Sequence, residues 1–132
     1  MDINDLTHTI IGRAYKVHNV LGFGFLEAVY ENALRIELDK VGITALQQQE
    51  LKVCYEGHIV GDYKPDLWIP GKLIIEVKSV QNLLKEHEVQ LVHYLAATNT
   101  DNGLLLNFGP SVIVKRKFRE YKKKESLLDA II

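Results

Sequence analysis

Lys64-Pro65-Asp66-Leu67-Trp68-Ile69-Pro70-Gly71-Lys72-Leu73-Ile74-Ile75-Glu76-Val77-Lys78 reads as two strands and the turn between them. Leu73 to Val77 is a nearly continuous apolar run, the mark of a central strand covered on both faces, and Glu76 interrupts it. A carboxylate in such a strand is costly unless it is paired or binds a cation. Lys78 lies two residues on, so its side chain leaves the same face of the strand as Glu76. Asp66 lies on the preceding strand, and the length of the turn decides which way it faces. A three-residue loop, Pro70-Gly71-Lys72, sets Ile69 opposite Leu73 and Asp66 opposite Glu76. A two-residue loop opposes Asp66 to Ile75 and turns it to the other face. The expectation is the three-residue loop.

Two carboxylates that close repel each other unless a cation sits between them or one holds a proton. Hard oxygen ligands suit Mg²⁺ or Mn²⁺, which keep several waters and accept phosphate oxygens. Such an ion can activate water and neutralise charge developing on phosphorus. An ammonium at the same face, Lys78, can orient the water or stabilise the transition state. The competing reading of the same residues is a buried salt bridge of Lys78 with Glu76 or Asp66, with no metal.

Outward from this hairpin, the chain alternates its period. Leu6, Ile10, Ala14, Val17 and Leu21 recur at helical spacing, with Asn4 or Asp5 as the expected N-cap. Leu21-Gly22-Phe23-Gly24 breaks that helix. A second follows from about Leu26, with Leu26, Tyr30, Ala33, Leu34, Leu38 and Val41 as its inner stripe and Gly42 as its stop. Leu51, Val53 and Tyr55 alternate with polar positions as a half-buried strand does. Gly57-His58 turns the chain into a strand from Ile59 to Ile69, bent at Gly61 or Pro65. After Lys78 the helical period returns from Leu83 to about Ala97, with Leu84, Leu91, Val92 and Leu95 inward. Leu104 to Phe108 and Val112 to Val114 are further strands. The order α-α-β-β-β-α-β-β predicts an α/β fold, a mixed β-sheet flanked by helices.

At 132 residues, 47% hydrophobic and 25% charged, the composition is that of one globular domain. No apolar run is long enough to cross a bilayer, the N-terminus is acidic, and Cys54 is the only cysteine, so no membrane association and a reducing, cytoplasmic setting are expected. Net charge is −1, unevenly spread. Residues 1–114 hold 9 Lys/Arg against 14 Asp/Glu, and residues 115–132 hold 7 against 3. The basic run, Lys115, Arg116, Lys117, Arg119, Lys122, Lys123 and Lys124, reads first as a solvated segment. It has the charge to hold phosphates as well. The last residues, Leu127 to Ile132, are apolar enough to fold back on the domain or to meet a second subunit.

Lys64-Pro65-Asp66 followed by Glu76-Val77-Lys78 resembles the signature of the PD-(D/E)XK nuclease superfamily. Upstream, Gly24, Glu27 and Tyr30 match Gly-x-x-Glu-x-x-Tyr, the motif of its GxxExxY branch. Downstream, His87, Gln90 and Tyr94 resemble that branch's His-x-x-Gln-x-x-x-Tyr pattern, and Gly103 to Gly109 its late strand. The resemblance covers residues 1–117, the expected domain, and leaves 118–132 as a tail. It implies a restriction-endonuclease-like core and a divalent-metal-dependent nuclease acting on DNA ahead of RNA. It also implies Mg²⁺ or Mn²⁺ held by Asp66, Glu76 and the Val77 carbonyl, with the first-helix acid Glu27 assisting and Lys78 catalytic. Gln90 and Tyr94 share a helix face at i, i+4, with His87 on the same side; they either hold a carboxylate or nucleotide or bridge the helix to the sheet. Read alone, Glu27 suits a helix start by its charge, and Tyr30 falls on the packing stripe. The alternative function is a catalytically silent module of the same fold, binding protein or nucleic acid as a homodimer.

Overall fold

The computed structural model describes residues 1–119. Most of the tail, with its apolar end, lies outside the described residues.

Helix α1 runs Ile3–Leu21 and α2 Glu27–Lys40. The cap of α1 falls earlier than the spacing predicted. Asp2 accepts the Asp5 N–H at 2.8 Å, which leaves Asp5 in the first turn, where its charge suits the helix dipole. Leu6, Ile10, Ala14 and Val17 bury one stripe of α1; Tyr30, Leu34 and Leu38 bury one stripe of α2. Leu26 and Val41, expected on the α2 stripe, stand 80% and 40% exposed just beyond its two ends. Gly22 closes α1 at φ 72°, a conformation that favours glycine, and begins the turn into α2.

Seven strands follow among the described residues: β1 Leu46–Gln47, β2 Leu51–Tyr55, β3 His58–Tyr63, β4 Leu67–Ile69, β5 Leu73–Lys78, β6 Asn102–Phe108 and β7 Val112–Phe118. Helix α3, Lys85–Ala97, links β5 to β6. The main sheet has the order β1-β4-β5-β6-β7; β2 and β3 form a separate two-stranded sheet. β5 and β6 pair in parallel, as a helical crossover requires; the other pairs among the described residues are antiparallel. The single strand expected from Ile59 to Ile69 is therefore two. Pro65 lacks the N–H that a ladder needs, so the chain leaves the β2–β3 pair at Tyr63 and enters the main sheet at Leu67.

β5 sits at the middle of the main sheet, and its alternation divides the core. Leu73, Ile75 and Val77 face α1 and α2, together with Leu104, Leu106 and Phe108. Ile74 faces the other way, with Leu105, and packs under Leu91 and Leu95 of α3 and Tyr63 of β3. The apolar run is covered on both sides, as its composition predicts. Each such fully buried Leu or Ile contributes on the order of 1.5–3 kcal/mol. Leu91 and Leu95 point inward on α3 as expected; Leu84 precedes the helix and is half exposed. Close packing of α3 also depends on Gly103, where an added Cβ would stand 3.2 Å from methyls of both leucines.

Candidate active site

The turn between β4 and β5 is the three-residue loop. Ile69 opposes Leu73, Trp68 opposes Ile74 and Leu67 opposes Ile75. Carried one step further, that register sets Asp66 across from Glu76, just where Pro65 has ended the ladder. In place of a strand partner, Asp66 uses its side chain: Oδ2 accepts the Val77 N–H at 2.7 Å. In an extended strand the N–H and C=O of one residue face the same edge, so the Val77 carbonyl opens toward Asp66 as well.

Glu76 is partly buried on the α3 side of the sheet and accepts a hydrogen bond from the Tyr63 hydroxyl. Burial first, and the Asp66 carboxylate second, push its carboxyl up to about 8. The Tyr63 bond and the Lys78 ammonium act in the opposite sense and are outweighed. Burial, then the Glu76 charge, likewise hold the Tyr63 phenol above its usual range. Lys78 shares the face of Glu76 but forms no ion pair within 4.0 Å among the described residues, so the competing salt bridge is not made. The cluster is an acid pair short of positive charge.

The remaining residues singled out in the sequence fall into two groups. Tyr94 reaches the site at one remove: its ring stacks on Tyr63 at 3.7 Å and 2°, behind the hydroxyl that Glu76 accepts. His87 caps α3, its Nδ1 accepting the Leu84 N–H at 3.2 Å. Gln90 is exposed and, with Lys85, His87 and His93, lines an open cleft of about 490 Å³ on the outer surface of α3. Tyr30 is fully buried and stacked on Phe108 at 4.7 Å. Its hydroxyl donates to the Gly22 carbonyl and accepts the Phe25 N–H at 3.3 Å, which staples the glycine turn. Glu27, the first residue of α2, is exposed and makes no hydrogen bond or ion pair among the described residues.

One helical turn beyond Glu27, Glu31 is only 6% exposed and lies beside Asp66. Its Oε1 accepts Gln48 Nε2 at 3.0 Å, and the same Gln48 nitrogen donates to Asp66 Oδ1 at 3.1 Å. Gln47 donates to Oε2 of Glu31. The Gln48 main-chain N–H also donates to the Asp66 carbonyl, 3.1 Å away, continuing the β1–β4 register. Burial raises the Glu31 carboxyl; the two glutamine bonds oppose this, and the Asp66 charge adds to it. Three partners of the acid pair thus went unremarked in the sequence: Glu31, Gln48 and Tyr63. Glu31 had a signal, since it flanks the Tyr30–Leu34 stripe and a carboxylate there needs a reason. Gln48 and Tyr63 had none.

The donor set suits a hydrated hard cation. Among the described residues no three His, Cys, Asp or Glu side chains gather closely enough to hold an ion by themselves. Two facing carboxylates with an adjacent carbonyl leave several coordination positions to water or substrate, the arrangement Mg²⁺ prefers. A partly buried acid pushed up to about 8 by desolvation and by the facing Asp66 carboxylate suits a neighbouring cation.

A family model for the PD-(D/E)XK nuclease superfamily matches residues 4–121. The chain belongs to this superfamily. The match takes in both helices of the first layer, the hairpin with Asp66 and Glu76, and the sheet through β7. No match is found among curated proteins. Among solved structures, the crystal structure of SSO0001 superposes with a TM-score of 0.52 at 18% identity, over 79% of this chain and 57% of that one. The likeness is one of fold, and this chain spans little more than half that protein's length. An alkaline exonuclease (LHK-Exo) from Laribacter hongkongensis superposes with a TM-score of 0.48 at 11% identity, over 95% of this chain and 86% of that one.

Proposed function

We propose that this chain is a divalent-metal-dependent nuclease of the GxxExxY branch, hydrolysing phosphodiesters of DNA in preference to RNA. The observation that carries the reading is the juxtaposition of Asp66 and Glu76 across the β4–β5 hairpin, with no ion pair to either among the described residues. In this reading Asp66, Glu76 and the Val77 carbonyl hold Mg²⁺ or Mn²⁺. When bound, the ion lowers the pKa of water and offsets charge on the phosphoryl oxygens. Gln48 fixes the Asp66 carboxylate against Glu31, so that Glu31, rather than the exposed Glu27, takes the part of the first-helix acid. Lys78 orients the attacking water or stabilises the charge that builds on phosphorus. Tyr63, backed by Tyr94, sets the rotamer of Glu76. No helix among the described residues is long and apolar enough to cross a membrane; the exposed lone Cys54 suits the reducing cytoplasm.

The test is nicking of plasmid and degradation of single-stranded DNA with Mn²⁺, comparing wild type with Lys78→Ala and Asp66→Ala. Loss of at least a hundredfold in both variants is expected, of the size seen when a charge-stabilising group is removed. Equal activity in all three would mean a contaminant and would end the reading. A second reading, a catalytically silent module that pairs with a second copy, draws on Val29 and Ile36 of α2 and on Leu26 just before it, all of them exposed. Calorimetry with Mg²⁺ and Mn²⁺ separates the two: an intact fold that takes up neither ion favours the module.

A further inference from the structure

The basic run read in the sequence does not act as one patch. Arg116 faces α1, donating to Asn4 Oδ1 at 2.9 Å and lying 5.1 Å over the Phe118 ring. Arg119 engages Asn99 and Asp101. Lys117 pairs with Glu88 at 2.6 Å. Lys115 is left with no ion pair within 4.0 Å among the described residues. The register fixes where it stands. Glu76 pairs with Leu105 and Leu105 with Lys115, so Lys115 shares the row and face of Glu76 two strands away, roughly 10 Å at ordinary strand spacing.

There it lines a cleft of about 450 Å³ with Gln81, Asn82, Leu83, Ser111 and Ile113. Lys78 pairs with Asn107 and Asn107 with Ile113, so the cleft lies in the same row of the sheet as Lys78. Its back wall is rigid. The Asn107 side chain accepts the Val80 N–H at 3.0 Å and donates to the Val80 carbonyl at 2.9 Å, which ties β6 to the segment after β5. Gly109 packs so closely there that an added Cβ would stand 2.7 Å from that carbonyl. The side chains of Gln81, Asn82 and Ser111 make no hydrogen bond among the described residues, and no carboxylate lines the cleft. The clefts on α3, by contrast, include Glu86 or Glu88. An ammonium, two amides and a hydroxyl without an acid among them form a site for an anion.

We propose that this cleft seats a phosphate of the substrate strand neighbouring the one that is cut. Lys115 supplies the charge, Gln81, Asn82 and Ser111 the hydrogen bonds, and Leu83 and Ile113 an apolar surface for the sugar. The seat rests on the nuclease reading and extends it to how the strand is held. The experiment is binding of a fluorescent single-stranded oligonucleotide in EDTA, so that hydrolysis does not intrude, across a series of salt concentrations. Lys115→Ala is expected to weaken binding about fivefold at low salt and to reduce the slope of log K against log salt by about 0.7, the loss of one phosphate contact. Lys115→Arg keeps the slope, and Arg35→Ala, on the outer surface of α2, changes neither. With Mn²⁺ present, Lys115→Ala raises KM and leaves kcat within about twofold. Identical slopes and affinities for wild type and a folded Lys115→Ala overturn the seat while leaving the nuclease reading intact. Should the wild type bind no oligonucleotide and cut none, both fall together.

Discussion

At the scale of single residues, the position of Glu76 makes protonation a stability issue. In the folded chain its carboxyl holds a proton up to about 8, whereas its ordinary value is 4.5. Between those two values the unfolded chain binds fewer protons than the folded one, so stability falls as pH rises. The contribution is complete below about 4.5 and gone above about 8. In EDTA the urea midpoint should therefore drop between about pH 5 and about pH 8.5, by an amount worth on the order of 2–4 kcal/mol. Glu76→Gln should flatten most of that slope. Glu31 shifts in the same direction and leaves a residue of it. Glu37 and Glu88, held low by lysine partners, act below that window. Because a metal must displace the Glu76 proton, Mn²⁺ should stabilise the wild type more at about pH 8 than at about pH 5. A wild-type profile that is flat without metal would show the pair to be hydrated and the argument from burial to be unsound.

At the scale of elements, the β4–β5 hairpin does the positioning, and its loop length is the variable. Pro70→Asn sets an Asn-Gly pair in the turn, which favours a two-residue loop; Ile69 then opposes Lys72, and Asp66 moves opposite Ile75 and onto the far face. The expected outcome is loss of Mn²⁺ uptake by calorimetry with the circular dichroism of a folded α/β protein retained; undiminished uptake would mean Asp66 is dispensable. Much of this element was legible beforehand. An apolar run with one acid, a Pro-Gly turn and a second acid at a countable distance leave few registers, and burial on both faces of β5 follows from composition. The detached β2–β3 pair was not legible, because alternating apolar residues look alike whether a strand joins the main sheet or only its neighbour. Pro65 announced a bend but not a change of sheet. The glutamines before β2 carried no period at all, so the short β1 and the grip of Gln48 on Asp66 could be found only in three dimensions. α2 shows the same limit: its helical spacing placed Tyr30, Leu34 and Leu38 inward, yet could not say that Glu31, rather than Glu27, would meet the sheet.

At the scale of the whole molecule, β7 closes the main sheet on one side and leaves that side's backbone groups without a further strand among the described residues. Val112-Ile113-Val114 at its start is the kind of segment that recruits a copy of itself. Lys115-Arg116-Lys117 directly after it sets like charges against one another when two copies pair edge to edge in parallel register. The same lysine proposed to seat a phosphate therefore also serves as a gatekeeper against polymerisation. Exchanging Lys115 and Lys117 for threonine should yield thioflavin-positive fibrils at concentrations where the parent chain stays dispersed, and prolonged clarity of that variant would assign the protection elsewhere. On the proposed reading, the charges that keep this edge solitary are also the ones that meet a polyanion, so colloidal safety and substrate capture would draw on one set.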